Sequence, residues 1–468
     1  MSVRNPLLAA LRQAADRDVV ERLEYLIAHS TDRDLNRINP LAFAATHGLD
    51  QEKLIAALLH GARIGAFEMS WNVLCPGCGG VLDSNATLKS IDKDRYNCSL
   101  CAAGYEPTLD EMVEVTFTIS PRVRRIAAHD PNTLPPFEYY RQVFFSSGID
   151  LPDDLEERFA SIVLELIQLG PGEKAFLSVH LPPEFVIIFD AVTHSTQFIN
   201  VQGEPTQERQ SLSMVISRGH TPNETLTLRP GPLRLALENH TDVRVLPNVC
   251  IAGDVLHDLL GHRRPFLTAK ALLTNQTFRD LFRTNTIDID QRLRITSLTF
   301  LFTDLKGSTR LYERVGDLAA FDLVRAHFRV LQEIVAAEAG AVVKTIGDAV
   351  MATFPTPDRA LVAALRIREA MRRLNAERGR DDLLLKIGIH EGPCLAVTLN
   401  DRQDYFGQTV NIASRVQDLA VSHAIFATEE VVDDPHASSV LKKSGVAPVP
   451  QHALLRGIDR QVQVYELP

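Results

Sequence analysis

The stretch LTFLFTDLKGST, residues 298–309, is apolar and β-branched up to Asp304 and then breaks into Lys306, Gly307, Ser308 and Thr309. Its first half reads as a buried strand, its second as a small-residue turn into a helix. A carboxylate at the end of a buried strand loses hydration, so its place there calls for a cation. From residue 296 onward strands and helices alternate. FDLVRAHFRVLQEIVAAEAG is an amphipathic helix ending at Gly340, and AVVKT and AVMATF are two strands around the turn Ile346-Gly347-Asp348. A second helix follows, opened by Thr356 and Pro357, and then the strand LLLKIGIH. The order β-α-β-β-α-β is the ferredoxin-like arrangement, with its first and third strands side by side. Asp304 and Asp348 should then converge at one sheet edge.

Two neighbouring carboxylates repel each other unless a cation or a shared proton lies between them. Oxygen ligands select hard ions such as Mg2+ or Mn2+, which accompany phosphates. Backbone amides of the Lys306–Thr309 turn, opening a helix, can receive a polyphosphate. These residues predict a metal-nucleotide site, although either aspartate taken alone could equally be a helix cap.

The rest of the chain bounds the partners. Its 468 residues suggest two to four domains, and 45% apolar with 23% charged residues is ordinary globular composition. A formal net charge of -10 disfavours polyanions, and residues 1–70 carry eight Lys or Arg against nine Asp or Glu. No nucleic-acid partner is expected. No window offers the roughly eighteen consecutive apolar residues of a membrane span. The first 26 residues read as one amphipathic helix without signal-peptide character, which makes the cytoplasm the expected compartment. Of six cysteines, Cys75, Cys78, Cys98 and Cys101 form two C-x-x-C pairs, while Cys250 and Cys394 stand apart. Two such pairs complete a tetrahedral thiolate site for structural Zn2+, closed to substrate.

The predicted architecture is multidomain α+β. Residues 1–70 form a helical, winged-helix-like segment, and 71–105 a zinc ribbon. Residues 106–262 form a β-rich accessory domain, an antiparallel β-sandwich beginning at EVTFTI and interrupted by one helix over 153–170. A connector helix capped by Thr268 lies in 263–295, and 296–468 is a ferredoxin-like α/β-sandwich.

Four segments, LTFLFTDLKGST, KTIGDAVMATF, LKIGIHEG and DYFGQTVNIASRVQ, resemble in this order the landmark segments of class III nucleotide cyclases. The resemblance covers about 298–468. It implies that Asp304 and Asp348 bind two Mg2+ or Mn2+ ions per active site, and that Lys344 and Asp404 read the base as in adenylate cyclases. Asn411 would orient the ribose and Arg415 meet the charge on the α-phosphate. LLRGIDRQVQVYEL matches a segment where the family usually has Lys before Gly; here Arg456 stands there, implied to contact the β- and γ-phosphates together with backbone amides of Leu305, Lys306 and Gly307. The activity implied is a lyase reaction, ATP to 3',5'-cyclic AMP and pyrophosphate, at composite sites of a homodimer. The N-terminal part resembles the zinc-containing accessory region preceding some bacterial cyclases, and a regulatory role is expected of it. The alternatives are a guanylate cyclase, opposed by Lys344 and Asp404, and a catalytically inactive nucleotide-binding regulator, opposed by the intact aspartates and Arg415. His390, with no second ligand at metal spacing, reads as structural.

Overall fold

Asn5, Asp16, Asn39 and Asp50 each accept a hydrogen bond from an amide two or three residues ahead, and these caps start four helices. The helices are Pro6–Ala14, Arg17–His29, Pro40–His47 and Gln51–Ile64. The single N-terminal helix expected from the sequence is therefore two: Ala15 is extended and Asp16 restarts the chain. The computed structural model describes residues 5–91, 95–218, 224–282, 293–306, 313, 315–379, 383–399, 402–420 and 424–468. The chain divides into two compact units, Met1–Pro107 with Glu111–Leu267, and Thr108–Asp110 with Thr268–Pro468.

In the first unit the helices lead into β1 (Phe67–Leu74), β2 (Val81–Asn85), the hairpin β3 (Tyr96–Cys98) and β4 (Ala103–Tyr105), and β5 (Val113–Ile119). β5 does not begin the sandwich. It pairs antiparallel with β1 from Phe67↔Ile119 to Val73↔Val113, in a sheet of order β2-β1-β5. The helix expected over 153–170 covers only Leu155–Ile162, and its continuation is β6 (Val163–Leu166), paired with a later strand. The run IVLEL suits either state, and pairing decides it.

The sandwich comprises β6, β7 (Lys174–Leu181), β8 (Phe185–Asp190), β9 (Thr196–Val201), β10 (Gln210–Ile216), β11 (Leu226–Leu228), β12 (Gly231–Asn239) and β13 (Pro247–Ile251). Sheets of order β11-β9-β8-β13-β6 and β10-β12-β7 share one core, with Val186, Ile188 and Val249 of the first meeting Leu181, Leu233 and Leu235 of the second. The sheets are mixed: β10 runs parallel to β12 and β11 to β9.

The second unit opens with two short helices, Ala269–Leu273 capped by Thr268 and Gln276–Leu281 capped by Asn275, where the sequence suggested one. Next come β14 (Leu293–Leu305), the helix Asp317–Ala337, β15 (Ala341–Ile346), β16 (Ala349–Phe354), the helix Pro357–Glu377 and β17 (Leu385–Leu399). β18 (Arg402–Phe406), the helix Gln408–Asp418, β19 (Ile425–Thr428), two further short helices, β20 (Val449–Leu454) and β21 (Gln461–Leu467) complete it. The sheet runs β15-β16-β14-β17-β19-β21-β20, with β18 added alongside β17. Its first four strands have the expected ferredoxin-like order, with β14 beside β16.

One face of this sheet is covered by the helices Asp317–Ala337 and Pro357–Glu377, whose Leu331, Val335, Leu361 and Ile367 pack on Leu301, Val350 and Ile387. The helix Gln408–Asp418 packs against β17 so closely that a Cβ on Gly388 would lie 2.2 Å from the Gln417 amide nitrogen. Only glycine admits that approach. Residues 108–110 also belong here: the Leu109 amide donates to the Arg294 carbonyl at 3.0 Å, and Asp110 accepts from the Thr296 amide at 3.0 Å where β14 is irregular. No helix among the described residues is long and apolar enough to cross a membrane.

Candidate active site and four-cysteine cluster

Asp304 is the last residue but one of β14 and stands opposite Lys386 of β17, whose Nζ is 3.9 Å from Asp304 Oδ2. Asp348 lies in the turn joining β15 to β16, where Gly347 adopts φ 65 to make the reversal. Because Val350 pairs with Thr303, that turn comes down beside the end of β14. Burial first, and then the charge of Asp348, raise the Asp304 carboxyl above its ordinary value. Asp348 Oδ2 is buried with no hydrogen-bond partner among the described residues. Two carboxylates that repel each other, one with an orphaned oxygen, are a donor set suited to a hard divalent cation.

A second group forms on the neighbouring strands. Asp404, 7% exposed on β18, accepts from Lys344 Nζ at 2.5 Å through Oδ2 and from the Tyr405 amide at 2.8 Å through Oδ1. Lys344 follows a bulge in β15, where the register passes from Val342↔Ala352 to Lys344↔Met351 and skips Val343.

Asn411 and Arg415 are one turn apart on the helix Gln408–Asp418, hence on the same side of it. Arg415 Nη1 donates to Asp418 Oδ2 at 3.2 Å. Arg456 is exposed in the turn between β20 and β21, next to Gly457 at φ 80. Leu305 is buried at the end of β14, and the Lys306 amide already donates to the Leu384 carbonyl at 2.8 Å. Gly307, like Ser308 and Thr309, lies outside the described residues.

Two neighbours of the acidic pair escaped the sequence reading. Lys386 alternates unremarkably with apolar residues in LKIGIH. His327 is wholly buried on the helix Asp317–Ala337, with both ring nitrogens lacking partners among the described residues. Burial pushes its pKa down to about 4, against the opposing charge of Asp348. The signal was there: His327 is a polar residue on the apolar side of an amphipathic helix. His390 is buried, with Nδ1 2.8 Å from Thr428 Oγ1, and burial lowers its pKa to about 4.

In the first unit, the Sγ atoms of Cys75, Cys78, Cys98 and Cys101 all lie within 4.8 Å of one another. Cys75 and Cys101 approach to 3.6 Å, Cys78 and Cys98 to 3.7 Å, and all four are free thiols. Tetrahedral zinc with Zn–S bonds of about 2.3 Å requires S···S separations of about 3.8 Å, so the spacing fits. Hydrogen bonding, with Cys101 first, drives the Cys75 thiol down while pushing Cys78 and Cys98 up. The Cys78 amide points at Cys75 Sγ from 3.5 Å.

Residues 291–451 match the adenylate and guanylate cyclase catalytic domain, and residues 1–280 match a family described as Family of unknown function (DUF5939). An adenylate cyclase of Anabaena cylindrica is 28% identical over 185 residues, 36% of this chain and 36% of that protein. An adenylate cyclase of Streptomyces griseus is 32% identical over 163 residues, covering 34% and 35%. The match thus spans about a third of the length of these relatives. The crystal structure of the adenylyl cyclase CyaB from P. aeruginosa is similar at 25% identity and TM-score 0.33, covering 38% of this chain and 96% of that one. The chain belongs to the DUF5939 family through residues 1–280, and its C-terminal part is a class III nucleotide cyclase catalytic domain.

Proposed function

We propose that the protein is an adenylate cyclase, converting ATP to 3',5'-cyclic AMP and pyrophosphate at two sites shared across a homodimer. The observation that carries the choice of purine is the Lys344–Asp404 contact at 2.5 Å. It sets a donor beside an acceptor. Adenine offers an acceptor at N1 and a donor at N6, which Lys344 and Asp404 complement; guanine presents the opposite pattern, O6 accepting and N1 donating.

Asp304 and Asp348 would hold two Mg2+ or Mn2+ ions per site, which would supply positive charge to the triphosphate and acidity to the ribose 3'-hydroxyl. Asn411 orients the ribose. Arg415 stabilises negative charge on the α-phosphate once it leaves Asp418, and an ion pair this exposed holds it by no more than about 1 kcal/mol. Arg456 takes the β- and γ-phosphates with backbone amides of Leu305, Lys306 and Gly307. Because the Lys306 amide is engaged by Leu384, the arginine carries the larger part.

A second copy of the chain supplies Lys344, Asp404, Asn411 and Arg415 to the aspartates of the first. The exposed side chains Ile346 (54%) and Phe406 (66%), beside the Lys344–Asp404 pair, support a face that a protomer covers. Structural Zn2+ on Cys75, Cys78, Cys98 and Cys101 holds the ribbon, and the region before the catalytic domain regulates it. The deciding experiment incubates purified full chain with Mn2+ and either ATP or GTP, identifying products by mass beside an Asp348→Ala control. Cyclic AMP from the intact chain and none from the control supports the reading; no cyclic product from folded protein overturns it.

A further inference from the structure

We propose that Arg279, on the short helix preceding the catalytic strands, is a positioning residue for base recognition. This inference rests on Lys344 and Asp404 being the base-reading pair. Those two residues sit on β15 and β18, which are not neighbours in the sheet: β15 pairs with β16, and β18 with β17. Ladder hydrogen bonds therefore do not fix the distance between them. Arg279 Nη2 spans the gap, donating to the Gln403 carbonyl at 3.0 Å and the Val343 carbonyl at 3.4 Å. Each acceptor is the residue immediately before a member of the pair. Val343 is also the residue skipped by the β15 bulge, where the ladder is locally disrupted.

The same segment adds two contacts, and a bond within β18 supports one of them. Gln276 Oε1 accepts from the Val342 amide at 2.9 Å, the Tyr405 hydroxyl donates to the Leu273 carbonyl at 3.4 Å, and Gln403 Nε2 donates to that hydroxyl at 2.9 Å. Residues 273–279 thus bind the backbone on both sides of the Lys344–Asp404 contact. A planar guanidinium can present two N–H groups of one nitrogen to two carbonyls at fixed spacing, which the flexible ammonium of lysine does less well. Movement of this helix would change the donor-acceptor spacing offered to a purine, and leave the acidic pair on β14 and the β15–β16 turn in place.

The test measures kcat and KM for ATP and GTP with Mn2+ in the full chain, in Arg279→Ala, in Arg279→Lys and in both Arg279→Ala and wild type on a Lys344→Ala background. A cleft of about 180 Å3 borders Arg279, so water can reach the freed carbonyls and the alanine variant should fold; thermal unfolding checks this. Loss of two hydrogen bonds predicts a fall of about tenfold in the ATP:GTP ratio of kcat/KM, mostly through a higher KM for ATP, with Arg279→Lys intermediate. On the Lys344→Ala background the further effect on selectivity should vanish, because the group being positioned is gone. An unchanged ratio in a folded Arg279→Ala enzyme, or an equal loss on both backgrounds, overturns the proposal. Absence of cyclic product from the wild-type chain would refute the cyclase reading instead.

Discussion

Lys344 Nζ and Asp404 Oδ2 are 2.5 Å apart, joining residues 60 positions apart in the chain, and the aspartate of the pair is almost wholly buried. In the proposed reaction this contact is where ATP is told from GTP. Replacing Lys344 with Glu turns the donor into an acceptor and should lower the ATP:GTP ratio of kcat/KM by about tenfold to a hundredfold, the consequence of about 1–3 kcal/mol of mismatched hydrogen bonding. Steady-state rates with both nucleotides check it. A ratio that does not move would place base recognition elsewhere.

Composite sites make a quantitative prediction. An Asp304→Ala chain and an Arg415→Ala chain should each be inactive alone. After equimolar subunit exchange, half the dimers are mixed and each retains one intact site, so about a quarter of wild-type activity should return. Exchange is verified with two affinity tags. Mixtures that exchange and stay inactive would mean that the two residues serve one site within a single chain.

What could be read ahead of the structure followed local pattern. Period and caps gave the β-α-β-β-α-β order, because helix and strand differ in hydrophobic spacing and Pro357 marks a helix start; Thr356, though, makes no side-chain cap. The cysteine spacing gave the cluster, and strand-end placement pointed to Asp304 and Asp348, whereas Lys344, Asp404, Asn411, Arg415 and Arg456 came only through resemblance. What stayed hidden depends on distant partners. Nothing local in Val163–Leu166 distinguishes strand from helix until it pairs with β13. Nothing in Thr108–Asp110 announces that these residues join the catalytic unit by hydrogen bonds to Arg294 and Thr296. Arg279 reads as an ordinary surface residue of a helix, because its two carbonyl partners lie 64 and 124 residues away.

The cysteine cluster predicts metal content directly. Protein purified under reducing conditions should contain one zinc per chain by elemental analysis. Cys98→Ser leaves three thiolates and should lose it. Because metal binding to such a site is coupled to folding, the unfolding midpoint of the N-terminal unit should drop by about 10 °C or more. Trp71, the only tryptophan, is buried on β1 in that unit and reports the transition by fluorescence. Wild-type protein without zinc, or a variant with an unaltered midpoint, would contradict the structural role.

His390 predicts how the catalytic unit responds to acid. Burial holds its pKa near 4, below the ordinary histidine value of 6.5, with Glu430 opposing the shift and Arg460 adding to it. The unfolded chain therefore binds a proton that the folded unit refuses. The stability concerned is present above pH 6.5 and is lost as pH falls towards 4. Between pH 7 and pH 5 the loss should be on the order of 2 kcal/mol from this residue. Gln at position 390 does not titrate and can hydrogen-bond to Thr428, so His390→Gln should flatten that part of the profile. Tryptophan fluorescence would follow the other unit; hydrogen exchange of β17 and β19 amides isolates this one. Equal acid sensitivity in wild type and variant would show that His390 accepts its proton without unfolding.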